Sequence, residues 1–496
     1  MPVKDRLRLR LISRRRTGPQ KLGEKGRNLV RFHLPIVYDL LGESNPFPLG
    51  PFFPVLETEG DLGLNQSMDK IGVGLIGCGT VGSGLIRNLP AANALIAERL
   101  GFGLEVKSIA VRQIAKTRTP LPVKVVDDWK KVISDPAVQI VVELVGGTGD
   151  AYAMAEAALK AKKPLVTANK ALLAERGLEL LPLAQKSSTP IYFEASVAGG
   201  IPVLKALREG LVANQLLGLH GIINGTSNYI LSQMAEKGSD FQVALQQAKE
   251  LGYAEADDRL DVDGVDAAHK AAILCFLAYG FLPVFGEIPV EGIRHVTAQD
   301  VSFARQLGYV IKLLAMVRPV GSDRVEVRVA PTLIPVRHPM ASVHGVFNAV
   351  GLIGNLAGPV QFTGRGAGPD ATSSALLADL AEAAKNLRDK APGPTLPKSG
   401  GKMRLIGKGE SVGRFYVRLE VEDRPGVLAQ VAGILGTEKI GISSVLQPEG
   451  HGAGSVPLVF LLEQASESSL AKAITAITKL QNSRTPPRIL RVEDLS

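Results

Sequence analysis

Only two of the 496 residues are cysteine, Cys78 and Cys275. Neither a disulfide framework nor a multi-cysteine metal centre can be built from them, and a reducing, cytoplasmic compartment is expected. Aromatic residues make up 5% of the chain, and none interleave with its basic arm, which argues against a nucleic-acid stacking platform. Long apolar runs are missing as well: none reaches the ~18 residues that span a bilayer, so no membrane role is expected. Acidic residues are scarce in one place only. Residues 1–31 hold eleven Lys/Arg, including Arg14, Arg15 and Arg16, against Asp5 and Glu24, and the rest of the chain balances at 46 basic and 46 acidic residues. The net charge of +9 therefore belongs to the arm, while the remainder is formally neutral.

What is present points to several packed units, since domains average about 150 residues. Residues 1–67 are basic and then rich in Pro and Gly ("NPFPLGPFFPV"), without helical or strand period, and are expected to be mostly disordered. A transit peptide or a natural start at Met68 are the other readings of this arm. From Met68 the pattern changes. "KIGVGLIGCGTVGSGLIRNL" opens with an apolar strand, turns on Gly77, Gly79 and Gly82, and continues at helical spacing through Val81, Leu85 and Leu89. Further strands at 104–111, 138–146, 164–169 and 190–196 alternate with helical pieces, which predicts a Rossmann-type, doubly wound parallel sheet over 68–200.

A glycine-rich turn between a strand and a helix lets a dinucleotide pyrophosphate approach backbone N–H groups and the positive helix end. The backbone of Cys78, Thr80 and Val81 should then touch the cofactor. No acid follows the second strand; Arg112 stands there with Lys116 close behind, which favours NADP over NAD, although both cations could simply be solvated. "TANKALL" puts Asn169 and Lys170 at the end of a parallel strand, where such sheets bind ligands.

Residues 201–385 read as an α+β unit and 386–411 as a linker ("KAPGPTLPKSGGK"). Residues 412–496 show βαββαβ order with "DRPGVL" at the first turn, a ferredoxin-like unit. Within the central unit, "HGIINGTSNYIL" supplies a polar turn before a helix starting near Tyr229, whose first N–H groups can take an anion such as a substrate carboxylate alongside an ordinary cap by Thr226 or Ser227. The stretch "GYAEADDRLDVDGVDAAHK", Gly252 to Lys270, holds six carboxylates. A calcium loop with Gly264 at its sixth position fails, because Arg259 and Lys270 occupy the first and twelfth positions, where oxygen ligands are required. Asp266 and Lys270 stand at i and i+4 on one helical face. They form either a surface pair worth ~0.2–0.5 kcal/mol or a carboxylate that orients a lysine for proton transfer.

Together and in order, "GLIGCGTVG", "VTANKALLA", "EASVAGGIPV", "GIINGTSNYIL", "AKELGYAEAD" with "DVDGVDAAHK", and "GRGAGPDATSSALLADL" resemble homoserine dehydrogenase over about Met68 to Leu380. The carboxy-terminal part looks like an ACT regulatory domain. The resemblance implies NAD(P)-dependent interconversion of L-aspartate 4-semialdehyde and L-homoserine. It implies Lys270 as general acid/base, Asp266 as its positioning residue and Lys170 as a second active-site lysine near the nicotinamide. Glu255 and Asp261 would hold the substrate amino group, with Gly252 and Thr226 near its other end. Gly146, Gly366 and Gly368 would lie at the dinucleotide. Glu194 and the carbonyls of Val197, Gly199 and Ile201 match the family's sodium site, an all-oxygen set suited to a hard cation. A homodimer or homotetramer and an L-threonine effector at the ACT-like unit are further implications.

Two positions depart from the family pattern: Asp258 stands where proline usually follows "EAD", and "GPDATSSA" replaces the more usual "PTASA". Aspartate-semialdehyde dehydrogenase, which handles the same aldehyde, needs a cysteine nucleophile, and neither cysteine here has a plausible site. A dinucleotide-sensing regulator would share the glycine-rich fold but show no turnover.

Overall fold

The computed structural model describes residues 69–112, 123–397, 403–407, 409–448, 455–480 and 485–495. The expectations for residues 1–67 and for Lys116 lie outside these. Six strands build the first sheet: β1 (Lys70–Ile76), β2 (Gly103–Ala110), β3 (Lys124–Val126), β4 (Ile140–Glu143), β5 (Leu165–Thr167) and β6 (Ile191–Tyr192). Their order is β3-β2-β1-β4-β5-β6, and every neighbouring pair is parallel. The order reverses at β1, so the ligand crevice lies beyond the carboxyl ends of β1 and β4.

Helices on both faces explain why β1 is a continuous apolar run, buried from Ile71 to Ile76. Helices Gly149–Lys160 and Lys170–Ser187 cover one face, with Leu159, Leu172 and Leu180 against Ile76, Val141 and Leu165. Helices Thr80–Leu100 and Pro369–Arg388 cover the other, with Leu85, Leu376 and Leu380 against Val73, Leu75 and Ile109. The chain thus returns to its first sheet after the central unit. The return is tight: a Cβ on Gly84 would lie 2.9 Å from the Pro369 carbonyl oxygen. The "GPDATSSA" departure serves this seam, where Arg87 pairs with Asp370 and Asn88 donates to Asp370 Oδ1 at 3.0 Å and Ser373 Oγ at 2.7 Å.

The second sheet runs β11-β10-β7-β8-β9-β16-β13-β15-β14, with β12 also on β9. Its central part is β7 (Leu216–Ile222), β8 (Tyr309–Val320), β9 (Arg324–Pro335), β10 (Phe347–Gly354) and β11 (Gly358–Arg365). Its carboxy-terminal part is β13 (Val412–Glu422), β14 (Ile442–Leu446), β15 (Ser455–Ser466) and β16 (Arg488–Val492), while β12 covers Arg404–Leu405. With helices Val427–Thr437 and Glu467–Thr478 the last four strands make a βαββαβ unit in ferredoxin-like order.

Composition suggests a separate module on a linker, yet the sheet is continuous: β16 pairs parallel to β9 through Arg491–Thr332 and Val492–Leu333. Buried charge reinforces the seam. Glu326 accepts from Arg318 at 2.6 Å, Arg328 at 2.9 Å and Ser411 at 2.5 Å, and Asp300 accepts from Arg418 at 2.7 Å and Tyr416 at 3.1 Å.

Candidate active site

The three glycines of the first turn have three different environments. Gly77 sits at φ +96° and a Cβ there would lie 2.8 Å from the Leu144 carbonyl oxygen, so the turn itself needs glycine. Gly82 is held by packing, since its Cβ would lie 2.7 Å from the Gly77 carbonyl oxygen. Gly79, the cap of helix Thr80–Leu100, faces open space, which is the room a pyrophosphate needs over the helix N-terminus. Gly146 (φ +78°) and Gly368 (φ +110°) also have nothing within 4 Å of a built Cβ. Arg112 is exposed and pairs with Asp150 at 2.7 Å, and Cys78 contacts Ser83 rather than any base.

Glu143, at the end of "IVVE", escapes sequence reading because it stands in a buried strand. Its carboxylate is 0% exposed, and burial pushes its pKa up against the Thr167 hydroxyl and the Val145 and Gly146 N–H groups that bond it. Thr167 in turn accepts from Asn169 N at 3.0 Å, and Asn169 donates to Gly147 O at 2.8 Å while capping the next helix at Leu172 N. This network fixes the start of helix Lys170–Ser187 and aims Lys170 across the crevice.

Across that crevice the structure gathers Lys170, Asp266, Lys270, Asp261, Thr226 and Asn224. Lys270 Nζ donates to Asp266 Oδ2 and to the Ile223 carbonyl, both at 2.7 Å, and Lys170 Nζ lies 3.0 Å from Asp266 Oδ1. One carboxylate therefore serves two lysines. Asn224 bridges the acids, donating to Asp261 at 2.8 Å and Asp266 at 2.9 Å. Asn224 also replaces Thr226 and Ser227 as the helix cap, accepting from Ser227 N at 2.8 Å, and the helix runs Gly225–Lys237, starting ahead of Tyr229. The two hydroxyls are used otherwise: Thr226 reaches Tyr253 O at 2.7 Å and Asp261 at 3.0 Å, and Ser227 reaches Asp261 O at 2.9 Å.

Electrostatics separate the two lysines. Lys270 is 8% exposed; desolvation lowers its pKa, Lys170 adds repulsion, and Asp266 only partly offsets both. Lys170 is half-exposed, and Asp266 holds its pKa up. Burial works against ionising Asp266, but Lys270 and Lys170 together keep its carboxyl below the usual range. Asp261 is pushed up by desolvation.

The remaining acids of the stretch divide cleanly. Asp258, the departure from proline, is buried and pairs with Lys249 at 2.6 Å and with Arg294. Asp263 takes the other side of Arg294 at 2.5 Å, and Asp257 pairs with Arg259 at 2.6 Å. Glu255 and Gly252 (φ +74°) are exposed, with Glu255 acting on Lys170 through its charge.

Glu194 is buried, accepting from Leu204 N at 2.9 Å and Lys205 N at 2.8 Å. Val197, Gly199 and Ile201 follow it in a buried loop. Among the described residues no N–H reaches the carbonyls of Val197 or Gly199, while Ile201 O accepts from Val203 N at 2.8 Å. A Cβ on Gly199 would lie 2.5 Å from Gly366 O, and Gly366 backs onto Asn348, whose buried carboxamide has no partner among the described residues. Unpaired buried carbonyls beside an orphaned amide fit a hard cation or its water.

Two family models match the chain: the homoserine dehydrogenase model over residues 202–381 and its NAD-binding domain over 77–194. The Helicobacter pylori homoserine dehydrogenase is 39% identical over 425 residues, 86% of this chain and 99% of that protein. The chain belongs to the homoserine dehydrogenase family. Its activity is that of this NAD(P)-dependent oxidoreductase. A homoserine dehydrogenase structure from Thiobacillus denitrificans aligns at TM-score 0.82 and 39% identity, covering 86% of this chain and 99% of that one. A hyperthermophilic archaeal homoserine dehydrogenase in complex with NADPH aligns at TM-score 0.54 and 27% identity, over 66% of this chain and all of that one.

Proposed function

We propose that Lys270 carries the proton in the interconversion of L-aspartate 4-semialdehyde and L-homoserine. The observation that supports it is the count of its donors. An ammonium has three N–H groups; Ile223 O and Asp266 take two, and the third is left for the substrate oxygen. Burial brings Lys270 nearer to neutrality than an ordinary lysine, which suits a group that must both give and accept a proton. A nicotinamide cofactor, its pyrophosphate held at the Gly79 turn, would supply or take the hydride. Lys170 remains charged beside it and steadies the Asp266 carboxylate. Glu255 and Asp261 attract the substrate ammonium, with Thr226 and the Gly252 backbone lining the same end.

Arg112 supports NADP, since the 2′-phosphate can replace Asp150 as its partner. Sodium fits the Glu194, Val197, Gly199 and Ile201 oxygens, where it would brace the loop under Gly366. The ACT-like unit is the place for a threonine effector: its "DRPGVL" turn lines a cavity of about 360 Å³ with Gln447. Assembly as a dimer or tetramer through the central unit and a cytoplasmic location complete the reading.

The test is NADPH oxidation dependent on L-aspartate 4-semialdehyde. Lys270→Ala should lose about 10²–10⁴-fold in kcat, the usual worth of general acid–base catalysis, with NADPH affinity retained. Wild-type turnover in that variant would remove Lys270 from the chemistry.

A further inference from the structure

A second cavity, of about 380 Å³, lies where the central unit meets the carboxy-terminal one, with walls from Glu291, His295, Phe415, Leu470, Arg488 and Ile489. Most charges around it are committed: Arg491 bonds Ser411 at 3.0 Å and pairs with Glu467, and Asp300 holds Arg418. Two are not. Among the described residues neither the Glu291 carboxylate nor the Arg488 guanidinium has a hydrogen bond or an ion pair, and Glu291 meets the charge of Arg491 only at longer range. They come from different units, one from the segment after β9's neighbour Val290 and the other from β16.

A pocket of a few hundred Å³ with apolar walls and a few convergent polar groups is the usual form of a small-ligand site. Here the polar groups are one anion and one cation beside Phe415, Leu470 and Ile489. We infer that this seam cavity binds a free α-amino acid, its carboxylate on Arg488, its ammonium on Glu291 and its side chain against the apolar wall. An arginine suits the carboxylate because its planar fork can bond both oxygens. The site is separate from the "DRPGVL" turn and does not rest on a threonine effect there.

The cavity wall is also part of the catalytic support. Glu291 N donates to Val329 O at 2.8 Å and Ile293 N donates to Val262 O at 2.8 Å. Between them Gly292 lies so close that a Cβ would sit 2.3 Å from Val262 O and 2.5 Å from Asp263 Cα. The segment carrying Glu291 thus presses directly on the turn that holds Asp261.

Isothermal titration of the full chain with a panel of L-amino acids tests the site without reference to turnover. At least one should bind. Its affinity should fall about tenfold or more, ~1.4 kcal/mol, in Glu291→Gln and in Arg488→Gln, and stay unchanged in Gln447→Ala at the other cavity. The matching amine without a carboxylate and the hydroxy acid without an ammonium should both fail to bind. Unchanged thermal unfolding midpoints in the two variants certify their folding, and a charge-reversed double variant, Glu291→Arg with Arg488→Glu, that regains binding would strengthen the assignment. Absence of binding by every amino acid tried, or binding lost only in Gln447→Ala, would overturn it.

Discussion

Asp266→Asn separates a catalytic triad of charges from an ordinary helical ion pair. In the native site one carboxylate faces Lys270 at 2.7 Å and Lys170 at 3.0 Å. At such range each attraction amounts to about 6 kcal/mol for an effective dielectric near 20. Removing the acid also removes its own desolvation penalty, and the half-exposed Lys170 regains water, so the net loss should fall to the ~3–5 kcal/mol typical of breaking a buried pair. The loss should depend on pH in a defined direction. Burial lowers the Lys270 pKa in the folded state; without Asp266 it drops further, so the unfolded chain binds the extra proton and stability rises with pH up to the ordinary lysine range of about 10.4. Urea unfolding of the variant at several pH values should show a deficit that is largest at neutral pH and shrinks in alkali. The oxidation rate should meanwhile titrate at lower pH than in wild type. A deficit below about 0.5 kcal/mol, flat with pH, would match an exposed i,i+4 pair and refute the shared-carboxylate argument.

The glycine turn offers a cleaner dissection of binding from folding. Gly79→Ala should weaken NADPH binding about tenfold or more with little change in unfolding midpoint, because its Cβ enters space left open for the cofactor. Gly77→Ala should cost about 1–3 kcal/mol of stability through strain at positive φ, read by thermal unfolding; equal effects of the two on both readouts would contradict their separate roles. Deletion of residues 412–496 should not leave a folded, uninhibited enzyme. It bares the β9 edge and leaves Arg318 and buried Arg328 without Glu493, so insoluble protein or a lost circular-dichroism transition is expected. A soluble, active truncated chain would show the seam to be dispensable.

Much of this was legible in sequence because the first sheet is built from local rules. Apolar strands, a strand–glycine–helix turn and the i,i+4 spacing of Asp266 and Lys270 each follow from periodicity, and the order of motifs supplied the family. What sequence hid is non-local. Glu143 looks like a strand end until Thr167 and Asn169 are folded over it. Asn224 looks like a turn residue until Asp261 and Asp266, some forty positions on, converge on its amide. Asp258 reads as a lost proline, yet it anchors Lys249 and Arg294. The linker composition likewise concealed that β16 completes the central sheet, since a parallel pairing of Arg491 with Thr332 leaves no local trace.

The pH dependence of kcat in both directions tests proton transfer by Lys270 most directly. Aldehyde reduction needs the ammonium, so it should fall as pH rises. Alcohol oxidation needs the amine, so it should rise over the same range. If Lys270 carries the proton, the two limbs share one ionisation below the usual lysine value, and Lys270→Ala loses it from both. Limbs that persist in Lys270→Ala would place the proton carrier elsewhere.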